Sequence, residues 1–224
     1  MGLSRRGTGI RTAGWGTGAL LVLGSLAGCG GGDDGKAAAD AGGRRQTASA
    51  APAAPTNGPG DYRPPTDLCP KVDFGPLTAA VAPTDGPPKG KQTGADPAMG
   101  SGSACLQGFR MAEKLADGRS TVYCTAWKDV ATAIKLHKYA LSSAPKEAGG
   151  AVVQVSGLGE AAFRYENVKE TTAFLNDLRL VVRDSNLECE VQVQSLNALT
   201  GQQITEAWPA MAETVRAMLP KLRS

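Results

Sequence analysis

Residues 178–193 read Leu-Arg-Leu-Val-Val-Arg-Asp-Ser-Asn-Leu-Glu-Cys-Glu-Val-Gln-Val. Leu178, Leu180 and Val182 alternate with Arg179 and Arg183. Beyond Asp184-Ser185-Asn186 the rhythm returns, with Leu187, Cys189, Val191 and Val193 set against Glu188, Glu190, Gln192 and Gln194. A period of two with one apolar set is the pattern of a half-buried strand. Two such runs around a turn predict an antiparallel hairpin with one dry face and one wet face, and with opposite charges available across the wet one.

Toward the C-terminus the period changes. Ile204, Trp208, Met211, Val215, Met218 and Leu222 follow the i, i+4, i+7 spacing of an amphipathic helix. Pro209 is expected near its first turns, since an interior proline removes a helical hydrogen bond, and Pro220 is expected to mark its end.

Toward the N-terminus lie further short elements. Ala104–Met111 and Ser120–Trp127 flank Asp117-Gly118, a turn signal, and predict two more strands. Val122, Cys124 and Ala126 share one face of the second. Thr132, Ile134 and Leu136 alternate, so a strand is expected over Ala131–Tyr139, with a helix as the competing reading. Ser142–Gly149 reads as helix or loop, and Ala151–Val155 as a short apolar strand. Phe74, Leu77 and Val81 predict a short helix over Asp73–Val81. Between that helix and the first strand, Pro83–Ser103 reads as a long Gly/Pro-rich loop carrying Lys89 and Lys91. Strands and helices are therefore segregated along the chain. This predicts an α+β fold: an antiparallel sheet with the C-terminal helix packed on one face and a short N-terminal helix.

The first 61 residues are of another kind. Arg5, Arg6 and Arg11 precede an apolar run from Trp15 to Leu26 that is shorter than the roughly 20 residues a spanning helix needs. Residues 1–28 therefore read as a signal peptide. Ser4-Arg5-Arg6-Gly7 contains the arginine pair of a twin-arginine signal without the hydrophobic residues expected after it. Leu26-Ala27-Gly28-Cys29 resembles the bacterial lipobox, which implies that Cys29 is acylated and becomes the mature N-terminus. Each buried acyl CH₂ would add about 0.8 kcal/mol of membrane affinity. Residues 29–61 are Gly, Ala, Ser, Thr and Pro with almost no large apolar side chain, which predicts a disordered tether. Its r.m.s. span would be about 30 Å. The expected folded domain is 62–224.

The whole chain carries a net charge of +3, and removing residues 1–28 with their three arginines leaves it neutral. Nothing electrostatic then points to nucleic acid or anionic lipid as a partner. Besides Cys29, four cysteines remain: Cys69, Cys105, Cys124 and Cys189. An even number in an exported domain predicts two disulfides, and three pairings are open. Cys69–Cys105 with Cys124–Cys189 is the pairing we favour. The first bond would staple the opening helix to the first strand, and the second would join two core-facing strand positions. There is no Cys-x-x-Cys, and His137 is the one histidine of the sequence, so no metal site is expected.

Other chemistry is sparse. Gly157-Leu158-Gly159-Glu160-Ala161-Ala162 fits a loose dinucleotide fingerprint, with Asp177 following at the expected distance. Phe163, Tyr165, Asn167 and Val168 do not continue the helix that motif requires, so a tight turn between strands is expected and no cofactor. No Gly-x-Ser-x-Gly elbow occurs. His137, with Asp129 nearby, has no serine placed beside it by any motif. Glu188 and Glu190 lie two apart on a strand facing solvent, a poor arrangement for acid–base work. No catalytic residue is expected.

The tether, Leu68-Cys69 before a short helix, Cys105 at a strand start and Val155-Ser156-Gly157-Leu158-Gly159-Glu160-Ala161-Ala162-Phe163 together resemble the actinobacterial lipoproteins grouped as domain of unknown function 3558. The terminal hairpin and helix complete the likeness, which spans about residues 62–222. Members usually carry Cys-x-Trp at the strand start. Here Cys105 is followed by Leu106 and Gln107, and a Cys-x-x-Trp stands at Cys124–Trp127. The resemblance implies a cell-surface lipoprotein with no assigned activity. The expected role is a non-catalytic module that binds a small apolar ligand, in the gap between sheet and helix or under loop 83–103. The alternatives are an accessory or sensor protein of an envelope complex, and an envelope hydrolase. The expected partners are the membrane, through the lipid on Cys29, and that ligand or an envelope protein.

Overall fold

A computed structural model describes residues 58–96, 98–110, 118–168 and 173–223. The expected signal segment, Cys29, most of the expected tether and Asp117 of the anticipated turn lie outside the described residues. The fold is α+β. Seven antiparallel strands form one sheet: β1 (Thr84–Asp96), β2 (Gly100–Phe109), β3 (Gly118–Trp127), β4 (Val153–Gln154), β5 (Ala161–Glu166), β6 (Asn176–Asp184) and β7 (Leu187–Ser195). Their order is β1-β2-β3-β7-β6-β5-β4. The sheet is thus two meanders, β1–β3 and β4–β7, joined along the seam between β3 and β7. The helices are α1 (Gly75–Ala80), α2 (Val130–Ser143) and α3 (Gly201–Leu222).

The hairpin is β6 and β7. Its two-residue turn places Ser185 at φ +53°, the left-handed first position of a II′-type connection. Asn186, the second position, stays out of the positive-φ region as that turn type requires, and its side chain is a staple. Its amide accepts from the Tyr62 amide (3.0 Å) and donates to the carbonyls of Tyr62 (2.9 Å) and Trp127 (3.0 Å). The anticipated tether is therefore already held at its end: Asp61 donates to the Ser185 hydroxyl and Val130 to the Gly58 carbonyl.

The apolar face of the hairpin meets α3. Register places Val122 opposite Val191, Leu180 opposite Val191 and Leu178 opposite Val193. These residues, with Met211, Val215 and Met218 of α3 and Leu77 of α1, form the main core. Helix α3 starts with a capping box: the Thr200 hydroxyl accepts from the Gln203 amide (3.2 Å) and the Gln203 side chain accepts from the Thr200 amide (2.9 Å). This satisfies two donors that the first turn would leave open. Gln203 also donates to the Val81 carbonyl at 2.8 Å, tying α1 to the start of α3. Pro209 lies well inside this helix rather than in its first turns, and Pro220 lies near its end.

Two bonds close the disulfide framework. Cys69–Cys105 joins a short 3₁₀ turn to β2 (Cα–Cα 5.0 Å), and Cys124–Cys189 crosses the β3–β7 seam between directly opposed residues (Cα–Cα 4.1 Å).

Three expectations need correction. Residues 131–139 are helical. Asp129 is extended (φ −157°) and its carboxylate accepts from the Thr132 amide at 2.7 Å, an N-cap ahead of a run without Gly or Pro. The alternation at 132, 134 and 136 is a by-product of the real stripe at Val130, Ala133 and His137, which are buried. Pro83–Ser103 is mostly strand: β1 and the first residues of β2. Pro87 and Pro88 fall where the β1–β2 register shifts, and β1 is an edge strand, the place where proline is tolerated and lysines discourage stray pairing. Gly102 is required, since a Cβ there would come 2.2 Å from the Cys124 carbonyl oxygen. The face of the hairpin expected to be wet is in part covered by α2, and Arg183, Gln192 and Gln194 are buried. Among smaller differences, the strand expected over Ala104–Met111 starts at Gly100, and the one over Ala151–Val155 keeps two residues.

Candidate functional site

The cleft between α2 and the β5–β6–β7 end of the sheet collects most of the ionisable chemistry. Asp129 starts α2, and a stripe one helical face wide turns His137 toward the sheet. Alternation along β7 turns Glu188 toward α2. The two meet with His137 Nδ1 3.1 Å from Glu188 Oε2, and His137 is 5% exposed. The ring of Phe163 on β5 stands edge-on to His137 at 5.2 Å between centroids and stacks on Tyr165 at 6.1 Å. Arg183, next to the hairpin turn, donates to the Glu160 carboxylate and to the Ser185 carbonyl (3.3 Å).

His137, Phe163, Arg183 and Glu160 help to line a cavity of about 330 Å³. Ile134, Leu141, Val155 and Phe163 supply apolar wall; His137, Arg183, Glu160, Lys138 and Gln154 supply polar wall. None of its lining residues carries a hydroxyl or thiol that could act as a nucleophile. The arrangement suits recognition of a molecule with an apolar body and a polar end.

Further along the same face, Arg179 bridges Asp177 (3.0 Å) and Glu190 (3.4 Å). Burial pushes the Glu190 carboxyl above the usual carboxylate range, partly opposed by a hydrogen bond from Gln192 and the charge of Arg179. Burial likewise pushes the Tyr165 hydroxyl up to about 12. The remaining cluster locks the two ends of the domain. The Tyr62 hydroxyl donates to Asp184, and Arg223 donates to the Tyr62 oxygen (3.1 Å) and to Asp184 (2.9 Å). Burial, then the bond to Asp184, raises Tyr62 to about 12.

Of the residues singled out from sequence, the fold brings His137 and Glu188 together and sends Glu190 to Arg179 instead. Asp129 is a helix cap. Asp177 is fully buried against Arg179 and Asn167, and a strand, not a helix, follows Gly159, so these residues form a turn. The expected gap lay between the sheet and the C-terminal helix, whereas this cleft lies under α2, in a stretch expected as strand; residues 83–103 are mostly strand and form no covering loop. Arg183, Glu160 and Phe163 were not singled out as site residues. Their signal was the alternation itself, which puts Arg183 on the face of Glu188 once that face is known to be covered. Among the described residues no group of three or more His, Cys, Asp or Glu could hold a metal ion, and no helix is long and apolar enough to cross a membrane.

No family model matches the chain, and no curated protein matches it. Among solved structures, the extracellular domain of PknH from Mycobacterium tuberculosis is similar with a TM-score of 0.42 and 9% identity, covering 69% of this chain and 98% of that one. A likeness at this level says nothing about what the present chain binds or does.

Proposed function

We propose that this chain is a lipid-anchored extracytoplasmic module of the kind its resemblance to the domain of unknown function 3558 lipoproteins implies. Its role is to bind a small amphipathic molecule in the cleft under α2, without catalysis. The observation that carries this reading is the cavity of about 330 Å³ lined by Phe163, Ile134 and Leu141 together with the buried His137, whose Nδ1 is paired with Glu188. A buried histidine whose Nδ1 is hydrogen-bonded to a carboxylate has its ring orientation fixed, which leaves Nε2 to meet the polar end of a ligand. The lipobox supplies the anchor and the disulfides fit an oxidising compartment.

The test is fluorescence titration of the full chain, carrying Cys29→Ser, with cis-parinaric acid as an amphipathic probe. Binding is expected, and Ile134→Trp, which fills the cleft, should weaken it at least tenfold. Equal affinity of the two proteins would remove the α2 cleft as the site. A thermal-shift screen with lipids, wall fragments and small metabolites extends the search, and silence toward all of them would end the ligand-binding reading. Anchoring is checked separately: Cys29→Ser should release the chain from membranes, and retention would contradict lipidation.

A further inference from the structure

On the opposite face of the sheet a second cavity, of about 340 Å³, opens where the 157–159 loop meets the last turns of α3. Leu158, Leu219 and Pro220 give it apolar wall, and Arg216, Arg223 and Asp184 give it charge. The charges do not cancel. Asp184 is engaged by Arg223 at 2.9 Å and by the Tyr62 hydroxyl. Arg223 is held in place by that contact, by its bond to the Tyr62 oxygen and by its position 5.8 Å from the Tyr62 ring centroid. Arg216 has neither a carboxylate nor any other hydrogen-bond partner among the described residues, whereas Arg110, Arg179 and Arg183 each pair with an acid. One cation at the cavity wall is therefore unbalanced.

The loop adds donors. Gly157 and Gly159 adopt φ +70° and +58°. Backbone turning through left-handed positions presents successive N–H groups to one point, an arrangement that favours anions. The neighbouring amides of Val155 and Glu160 are spent on the Ala162 and Arg183 carbonyls, while those of Gly157, Leu158 and Gly159 meet no backbone acceptor among the described residues. A Cβ at Gly159 would stand 2.6 Å from the Arg183 oxygen, so the loop lies tight on the sheet; at Gly157 a Cβ would meet nothing within 4 Å.

We propose that this cavity binds an oxyanion, a phosphate or carboxylate on a short apolar stem, between the Arg216 guanidinium and the 157–159 amides, with the stem against Leu158 and Leu219. The same chemistry occurs in a soluble alkyl phosphate and in an anionic lipid headgroup. Calorimetric titration of the full chain carrying Cys29→Ser with hexyl phosphate and with hexanoate, and co-sedimentation with phosphatidylglycerol or phosphatidylcholine vesicles, tell these apart. At least one anionic probe should bind. Arg216→Met, a change at an exposed position that leaves the melting temperature in place, should weaken it at least tenfold. Lys135→Met on α2 should leave it unchanged. Binding of hexyl phosphate or hexanoate alone identifies a soluble ligand, and added binding to phosphatidylglycerol but not phosphatidylcholine identifies a headgroup. No binding by any probe, equal binding by Arg216→Met, or equal losses in Arg216→Met and Lys135→Met would each overturn the proposal.

Discussion

The two faces of the sheet are built by opposite means. Against α3 lie Leu178, Leu180, Val182, Val191 and Val193, met by Met211, Val215 and Met218, all at most 1% exposed. That face has few polar groups to satisfy; Thr214, whose hydroxyl reaches the Asp73 carbonyl at 3.4 Å, is one. Against α2 the same two strands present Arg179, Arg183, Glu188, Glu190 and Gln192, and burial there is made tolerable by partners: His137 for Glu188, Glu160 for Arg183, Asp177 and Glu190 for Arg179. Apolar side chains interdigitate to crystal-like density, whereas paired charges impose distances and angles that leave gaps. The difference explains why the α2 side holds the cleft that mixes apolar wall with buried ionisable groups.

The sharpest way to test the contrast is at the seam both faces share. Replacing Cys124 and Cys189 by alanine frees a loop spanning a sequence separation of 65, and chain-entropy reasoning puts the loss at about 4 kcal/mol. Urea denaturation of the double variant checks this, and an unchanged midpoint would mean that the two meanders need no covalent link. Next come matched truncations on the two sides. Leu180→Ala, in the dry core, should cost about 3 kcal/mol, and Leu141→Ala, on the wall of the α2 cleft, only about 1 kcal/mol, because it widens an existing space. Equal costs would mean that the cleft closes in solution.

A smaller effect is expected from Arg183→Met. It strands the Glu160 carboxylate, but that side chain keeps 26% of its exposure. The loss should therefore be about 1–2 kcal/mol, below that of a fully buried broken pair. Glu160→Gln in the same background should recover part of it. The smallest effect concerns alkaline pH. Tyr62 and Tyr165, one on each side, are raised to about 12. A phenol whose folded value lies above its unfolded value of about 10 favours the neutral form in the fold. Its contribution to stability is present below pH 10 and is lost as the pH rises toward 12. Absorbance at 295 nm should show a late-titrating component that Tyr62→Phe and Tyr165→Phe each reduce. Midpoints near 10 in the wild type would remove burial as the cause.

The contrast also separates what could be read from residues and what could not. The hairpin and the C-terminal helix were legible because each carries its partner's requirement in its own period: two for Leu178–Val193, about 3.6 for Ile204–Leu222. Fold class followed from those two elements. The stretch 131–139 was ambiguous because Thr132, Ile134 and Leu136 alternate while Val130, Ala133 and His137 fit a helical face, and the cap at Asp129 outweighs the alternation. The β1 strand was hidden by Gly86, Pro87, Pro88 and Gly90, residues that argue against a strand unless it is known to lie at an edge.

Local sequence determined which residues are strand-like or helix-like, where the cysteines stand, and that one side of the hairpin is apolar. Tertiary structure alone decided that the other side is covered. Helix α2, the connection between the two meanders, folds back over part of it and turns an apparently solvated row of charges into a half-buried, paired wall. It also brought Arg216 and the 157–159 loop to one cavity. No periodicity records such meetings, because they depend on which elements cross at the end of the sheet. Burial of a polar face is a property of the neighbour that covers it, and that neighbour is chosen by topology.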